Sequence, residues 1–160
     1  MTTTATDADR RLLAAAIEQA RKSAREGGIP IGSALGAADG TVLALGHNLR
    51  VQTGDTTAHA ETVCIRNAGR RRDWGDLVLA TTLSPCIMCS GTALLHGVRR
   101  IVIGESKTFQ GAEGLLEEHG VRLVRLDEPA CRDLLEAFIR SHPEVWDEDI
   151  GVPPGAAGRA

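Results

Sequence analysis

Two short stretches, His59-Ala60-Glu61 and Pro85-Cys86-Ile87-Met88-Cys89, constrain this chain more than anything else in it. They read H-x-E and P-C-x-x-C: one imidazole and two thiolates able to grip a metal ion, with a carboxylate to spare. To do so, two segments far apart in sequence must each begin a helix, and the two helix starts must meet. Cys86 and Cys89 lie three apart, on one face of the predicted helix. Unpaired backbone N–H groups and the helix dipole at such a start favour thiolates, the form that binds metal. Three protein ligands leave a fourth tetrahedral position open, which marks a catalytic rather than a structural zinc site. The pattern therefore predicts one zinc ion per chain on His59, Cys86 and Cys89, although iron accepts the same N/S donors.

Rival readings of these residues are weaker. A C-x-x-C at a helix start also fits a thioredoxin-type redox pair, but H-x-E upstream and the lack of any other redox signature weigh against it. A structural zinc would need a fourth ligand, and Cys64 is the obvious candidate. It lies five residues after His59, roughly 140° round an ideal helix, and should point elsewhere. Cys64 and Cys131 both read as buried core thiols. Glu61, two residues from a ligand and in a first turn, can face the open metal position. Zinc lowers the pKa of water to about 7, and a neighbouring carboxylate can take that proton and return it elsewhere. The combined H-x-E and P-C-x-x-C pattern is the signature of zinc-dependent nucleobase deaminases. Their chemistry needs such a shuttle, because a ring nitrogen is protonated and the amino group leaves as ammonia.

Apolar periodicity supplies a frame for these motifs. Leu12, Leu13, Ala16, Ile17 and Ala20 form a helical stripe that ends at Gly27-Gly28 and Pro30. Residues 31–37 and 41–45 flank Asp39-Gly40 as a hairpin, and 46–57 read as a polar loop. A helix is expected from Ala58 to Asn67, a buried strand over Leu77–Leu83, and a helix from Pro85 to His96 with Pro85 in its first turn. A strand at 100–104, a short helix at 112–119, a strand at 121–126 and a helix at 129–140 follow. Alternating strands and helices make this an α/β layered sheet. Residues 1–150 are expected to form one domain, and the Gly/Pro/Ala-rich stretch 151–160 a disordered tail.

Composition excludes several function classes. The 160 residues carry a net charge of −3, and the run Arg70-Arg71-Arg72 is followed at once by Asp73 and Asp76, so there is little basis for gripping nucleic acid. No secretory signal or membrane-spanning stretch is visible, and a reducing cytoplasm is the expected location. Aromatic residues make up only 2%, so each of Trp74, Phe109, Phe138 and Trp146 merits separate attention.

Beyond the metal motifs, Glu26-Gly27-Gly28-Ile29-Pro30-Ile31-Gly32, Gly46-His47-Asn48, Thr81-Thr82-Leu83-Ser84-Pro85-Cys86 and Trp146-Asp147-Glu148-Asp149-Ile150-Gly151 resemble the fungal-type cytosine deaminases. The resemblance covers nearly the whole chain apart from its extreme termini. It implies the cytidine deaminase-like fold: a three-layer α/β/α sandwich with a five-stranded mixed sheet, usually as a homodimer. It implies hydrolysis of free cytosine to uracil and ammonia, with Glu61 catalytic. It also implies that Asn48 reads the pyrimidine carbonyl and ring N–H, and that Asp149 receives the exocyclic amine. Phe109 and Trp146 would wall the pocket, Ser84 and the Ala60 backbone would make polar contacts, and Ile31 would form the floor. Residues 143–150 would act as a lid whose opening could limit product release.

The chain departs from the fungal pattern twice. Ala60 stands where those enzymes have Gly, without consequence for the metal. Val51 stands at the place of an aromatic pocket residue, which opens the alternative of another small amino-heterocycle: an s-triazine, a pterin or a guanine-like ring. A tRNA or nucleoside deaminase and a non-catalytic zinc-stabilised interaction module are the remaining alternatives. The acidic balance opposes the former and Glu61 the latter.

Overall fold

The computed structural model describes residues 3–154. The first helix, α1 (Asp7–Arg25), starts on a capping box in which Thr6 and Asp9 satisfy each other's backbone N–H. Strands β1 (Gly32–Ala37) and β2 (Val42–His47) form the expected hairpin. Gly40 takes φ 90° in its turn, and Asp39 Oδ1 accepts from Thr41 N–H at 2.8 Å. Then follow α2 (Arg50–Thr53), α3 (Ala60–Ala68), a 3-10 turn at Trp74–Asp76, β3 (Leu77–Leu83) and α4 (Ile87–His96). The chain continues through β4 (Arg100–Glu105), α5 (Glu113–Glu118), β5 (Arg122–Arg125), α6 (Pro129–Ser141) and α7 (Pro143–Asp149).

The sheet order is β2-β1-β3-β4-β5. β1 runs antiparallel to both neighbours, while β3, β4 and β5 are mutually parallel, so the sheet is mixed as expected. Strand parity divides the core into two layers. Leu77, Leu79, Ile101, Ile103 and Leu123 pack with Cys64, Ile65, Ala93 and Leu116 from α3, α4 and α5. Val78, Ala80, Val102 and Val124 face the other way, onto Leu12, Leu13, Ala16 and Ile17 of α1 and Cys131 of α6. Arg100 joins α1 to β4 by a bidentate grip on Asp9, at 3.0 and 2.6 Å.

Two features differ from the sequence reading. The polar stretch 46–57 contains α2, a single turn closed by Gly54 at φ 74°. Residues 143–149 are helical. The C-terminal stretch expected to be disordered is described only to residue 154, and its remainder lies outside the described residues.

One close approach sets the height of α3 over the sheet. A Cβ on Gly46 would come within 2.4 Å of Cys64 N and 2.5 Å of the Ala60 carbonyl. Only glycine lets the end of β2 carry the first turn of α3, and that turn begins at His59.

Candidate active site

His59 and Cys86 are the N-cap residues of α3 and α4, both extended, with φ/ψ of −72°/159° and −66°/173°. Pro85 therefore stands just before the cap and not in the first turn, and its carbonyl accepts from Ala112 N–H at 2.9 Å. Cys89 lies one turn into α4, where the orphan N–H groups of the helix start gather. One ligating atom each from His59, Cys86 and Cys89 fall within 4.8 Å of one another, and His59 Nδ1 lies 3.5 Å from Cys86 Sγ. Zinc binds sulfur at about 2.3 Å and nitrogen at about 2.0 Å, so these spacings suit one ion between them. The other ring nitrogen, His59 Nε2, is 3.0 Å from Asp149 Oδ1. A carboxylate on the far nitrogen of a metal-binding histidine fixes its tautomer and raises its basicity.

The electrostatics of the group follow from its packing. Burial works against a charged His59, but hydrogen bonds to Asp149 and Cys86 raise it to about 10. Cys86 is lowered to about 4, chiefly because Cys89 donates to it and secondly because His59 does. Cys89 is raised by that same donation, by burial and by the charge of Glu61. Glu61 is raised, first by burial and then by the Cys86 charge. Its Oε1 accepts from Thr81 Oγ1 at 2.7 Å, and its Oε2 lies 3.3 Å from Cys89 Sγ. Burial lifts Cys64 and Cys131 each to about 12. Both are core thiols, as expected, and Cys64 is absent from the ligand group.

A cavity of about 460 Å³ opens beside these residues, within the range of small-molecule sites. Ile31, Asn48, His59, Ala60, Glu61, Ser84, Phe109, Trp146 and Asp149 all line it. Asn48 is fully buried; its Oδ1 accepts from Arg50 N–H at 3.0 Å, and its Nδ2 has no partner. A buried amide without an acceptor is costly unless a ligand supplies one. Phe109 and Trp146 meet edge to face, with ring centroids 6.1 Å apart.

Ser84 lines the cavity, and its hydroxyl is engaged by two neighbours. It donates to Glu113 Oε1 at 2.7 Å and accepts from Gly111 N–H at 2.9 Å, which ties the Phe109 loop to the residues before Cys86. Val51 is not among the lining residues and is 46% exposed. In the single turn of α2 its neighbour Arg50 faces the cavity and Val51 faces out. Sequence reasoning missed Arg50, Thr81 and Glu113. The available signals were a cation two residues beyond Asn48, a pair of threonines in an otherwise apolar strand, and a carboxylate just after the Phe109 loop.

The family model describing the cytidine and deoxycytidylate deaminase zinc-binding region matches residues 6–105. A cytosine deaminase of Candida albicans is 47% identical over 145 residues, spanning 89% of this chain and 97% of its own length. A tRNA-specific adenosine deaminase of Bacillus subtilis is 35% identical over 137 residues, spanning 78% and 84%. A solved tRNA:A34 deaminase structure superposes with a TM-score of 0.68 at 28% identity, covering 79% of this chain and 99% of that one.

Proposed function

The chain belongs to the zinc-binding cytidine and deoxycytidylate deaminase family, and from that premise we propose that this hydrolytic deaminase acts on a free nucleobase, converting cytosine to uracil and ammonia. The observation that carries the choice of substrate is the unpartnered Nδ2 of Asn48 in the same cavity as Glu61 and Asp149. A pyrimidine carbonyl would supply the missing acceptor. Asn48 Oδ1 keeps acceptor capacity for a ring N–H beside its bond to Arg50. Near-complete alignment with the Candida albicans cytosine deaminase supports the same reading.

Bound at His59, Cys86 and Cys89, zinc supplies the Lewis acidity that makes water nucleophilic at neutral pH. Glu61 takes a proton from water and delivers it to the ring nitrogen, then takes the proton of the hydroxyl added to the ring carbon and delivers it to the departing amine. Thr81 holds one oxygen of Glu61, leaving the other on the metal side for this transfer. Asp149 accepts from the exocyclic amino group while bracing His59. Phe109 and Trp146 cover the base and exclude water, with Ile31 beneath it.

The enzyme is further proposed to be a homodimer, because α4 presents Ile87 and Leu95, 66% and 84% exposed, on one face with Gly91. Among the described residues no helix is long and apolar enough to cross a membrane. The free thiols at the metal group suit a reducing cytoplasm. The test is product identification by chromatography after incubation with cytosine, cytidine and an anticodon stem-loop. Uracil from free cytosine supports the proposal; inosine in the RNA with cytosine untouched would replace it with the activity of the tRNA-deaminase relatives.

A further inference from the structure

We propose that Arg50 is the positioning residue of this site, fixing Asn48 through its backbone and Asp149 through its side chain, and so holding α7 over the cavity. The reaction assayed rests on the deaminase reading above; the packing argument does not.

Arg50 begins α2, lines the cavity and has a side chain only 13% exposed. Its backbone N–H donates to Asn48 Oδ1 at 3.0 Å. Its guanidinium reaches in two further directions. Nη1 donates to the Thr56 carbonyl at 3.2 Å, on the stretch that leads into His59. Nη2 lies 3.5 Å from the Glu148 carbonyl and 3.6 Å from Glu148 Oε1, and Nε lies 3.6 Å from Asp149 Oδ1. A planar, delocalised guanidinium can hydrogen-bond the two carbonyls and at the same time face the Glu148 and Asp149 carboxylates as ion pairs at 3.6 Å, where a lysine ammonium offers one point charge. The C-terminal end of α7 needs such a cation. It places two adjacent carboxylates, Glu148 and Asp149, beside the negative pole of the helix.

The same Asp149 oxygen faces both Arg50 Nε and His59 Nε2. Arg50 therefore sets the orientation of a side chain that both braces a metal-binding residue and meets the substrate. Removing the guanidinium leaves Asp149 with His59 Nε2 at 3.0 Å and takes away the cation that faces both Asp149 and Glu148, while Trp146 keeps its apolar contacts. Asp149 then loses its fixed geometry even if the fold persists.

The experiment has a substrate-free arm and a kinetic arm. In a Trp74→Phe background, Trp146 is the remaining indole among the chain's two tryptophans. Arg50→Met is expected to raise acrylamide quenching of Trp146 severalfold, with zinc content unchanged. In the kinetic arm, Arg50→Met lowers kcat/KM about tenfold in the native background but only about twofold in Asp149→Asn, because contacting residues do not contribute independently. Should Arg50→Met fail to fold, Arg50→Lys takes its place, with the same direction at smaller size. Unchanged quenching, or equal losses in the two Asp149 backgrounds, would overturn the proposal. If the native protein deaminates nothing, the functional reading fails while the quenching arm still decides the role of Arg50.

Discussion

Replacing Glu113 by alanine should both destabilise the fold and loosen the substrate site, and the sizes can be worked from the contacts. The Glu113 carboxylate is 3% exposed and accepts from Ser84 Oγ at 2.7 Å, Ser106 Oγ at 2.5 Å and Arg125 Nε at 2.6 Å. Arg125 is 41% exposed, so on losing its partner it returns to water and forfeits only the about 0–1 kcal/mol of a surface pair. Ser84 is 2% exposed and cannot do the same; a buried hydroxyl without its acceptor costs about 1–3 kcal/mol. With Ser106 half-buried, the total is about 3 kcal/mol. At about 2–4 °C per kcal/mol for a chain of this size, the melting temperature falls by about 6–12 °C. Ser84 also holds Gly111, and a Cβ on Gly111 would sit 2.0 Å from the Pro85 carbonyl. The loop carrying Phe109 thus rests on the residues that introduce Cys86, and KM should rise more than kcat falls. The pH dependence adds a sign test. Burial resists charge on Glu113, but Ser106, Ser84 and Arg125 together hold its carboxyl below the ordinary value of 4.5. A depressed carboxylate contributes stability above its unfolded value and loses it as pH falls through the folded one. The gap between native protein and Glu113→Ala should therefore narrow as the pH falls below 4.5 and through the folded value. Calorimetry at neutral and acid pH measures this. A drop of less than about 2 °C at pH 7, or a gap that does not narrow in acid, refutes the reasoning.

Other substitutions probe separate parts of the account. Gly46→Ala forces a Cβ against Cys64 N and the Ala60 carbonyl; it should cost about 3 kcal/mol in urea melts and weaken zinc retention together. Val51→Phe should change kcat/KM on cytosine by less than about twofold, since the side chain faces outward. A marked shift in substrate preference would show that it reaches the base. Asp9→Asn breaks the grip of Arg100 across α1 and β4 and should cost about 2–3 kcal/mol at neutral pH. Burial opposes charge on Asp9, yet Arg100 and Thr6 keep its pKa lowered, so this loss too should shrink in acid melts as the pH falls through the folded value.

What the sequence revealed follows from how strongly chemistry or packing restricts each residue. Metal ligands permit few residue types and must start helices, so His59, Cys86 and Cys89 were legible and do converge. The β3 run Leu77–Leu83 reads as a buried strand because helices cover both sheet faces and every position is apolar or small. α2 was hidden because four residues, closed by a glycine, carry no periodicity. α7 was hidden because a seven-residue segment with four acids and one buried tryptophan looks like a solvated tail. Resemblance conveyed the importance of the stretch after Asn48 but not the rotation of its single turn. It therefore pointed to Val51, while the residue on the cavity wall is Arg50. The hydroxyl partner of Ser84 was hidden for a related reason: Glu113 lies 29 residues away, on an element that local pattern cannot place beside it.

The most direct test of the central claim is cytosine turnover by Glu61→Ala with zinc content measured on the same sample. The carboxyl lies 3.3 Å from Cys89 Sγ but is not part of the ligand group, so the variant should keep one zinc per chain. It should lose about 10²–10⁴-fold in kcat, the usual worth of a positioned proton carrier. Full zinc loading with near-native turnover would contradict the account, because the proton would then travel by a route that does not involve Glu61.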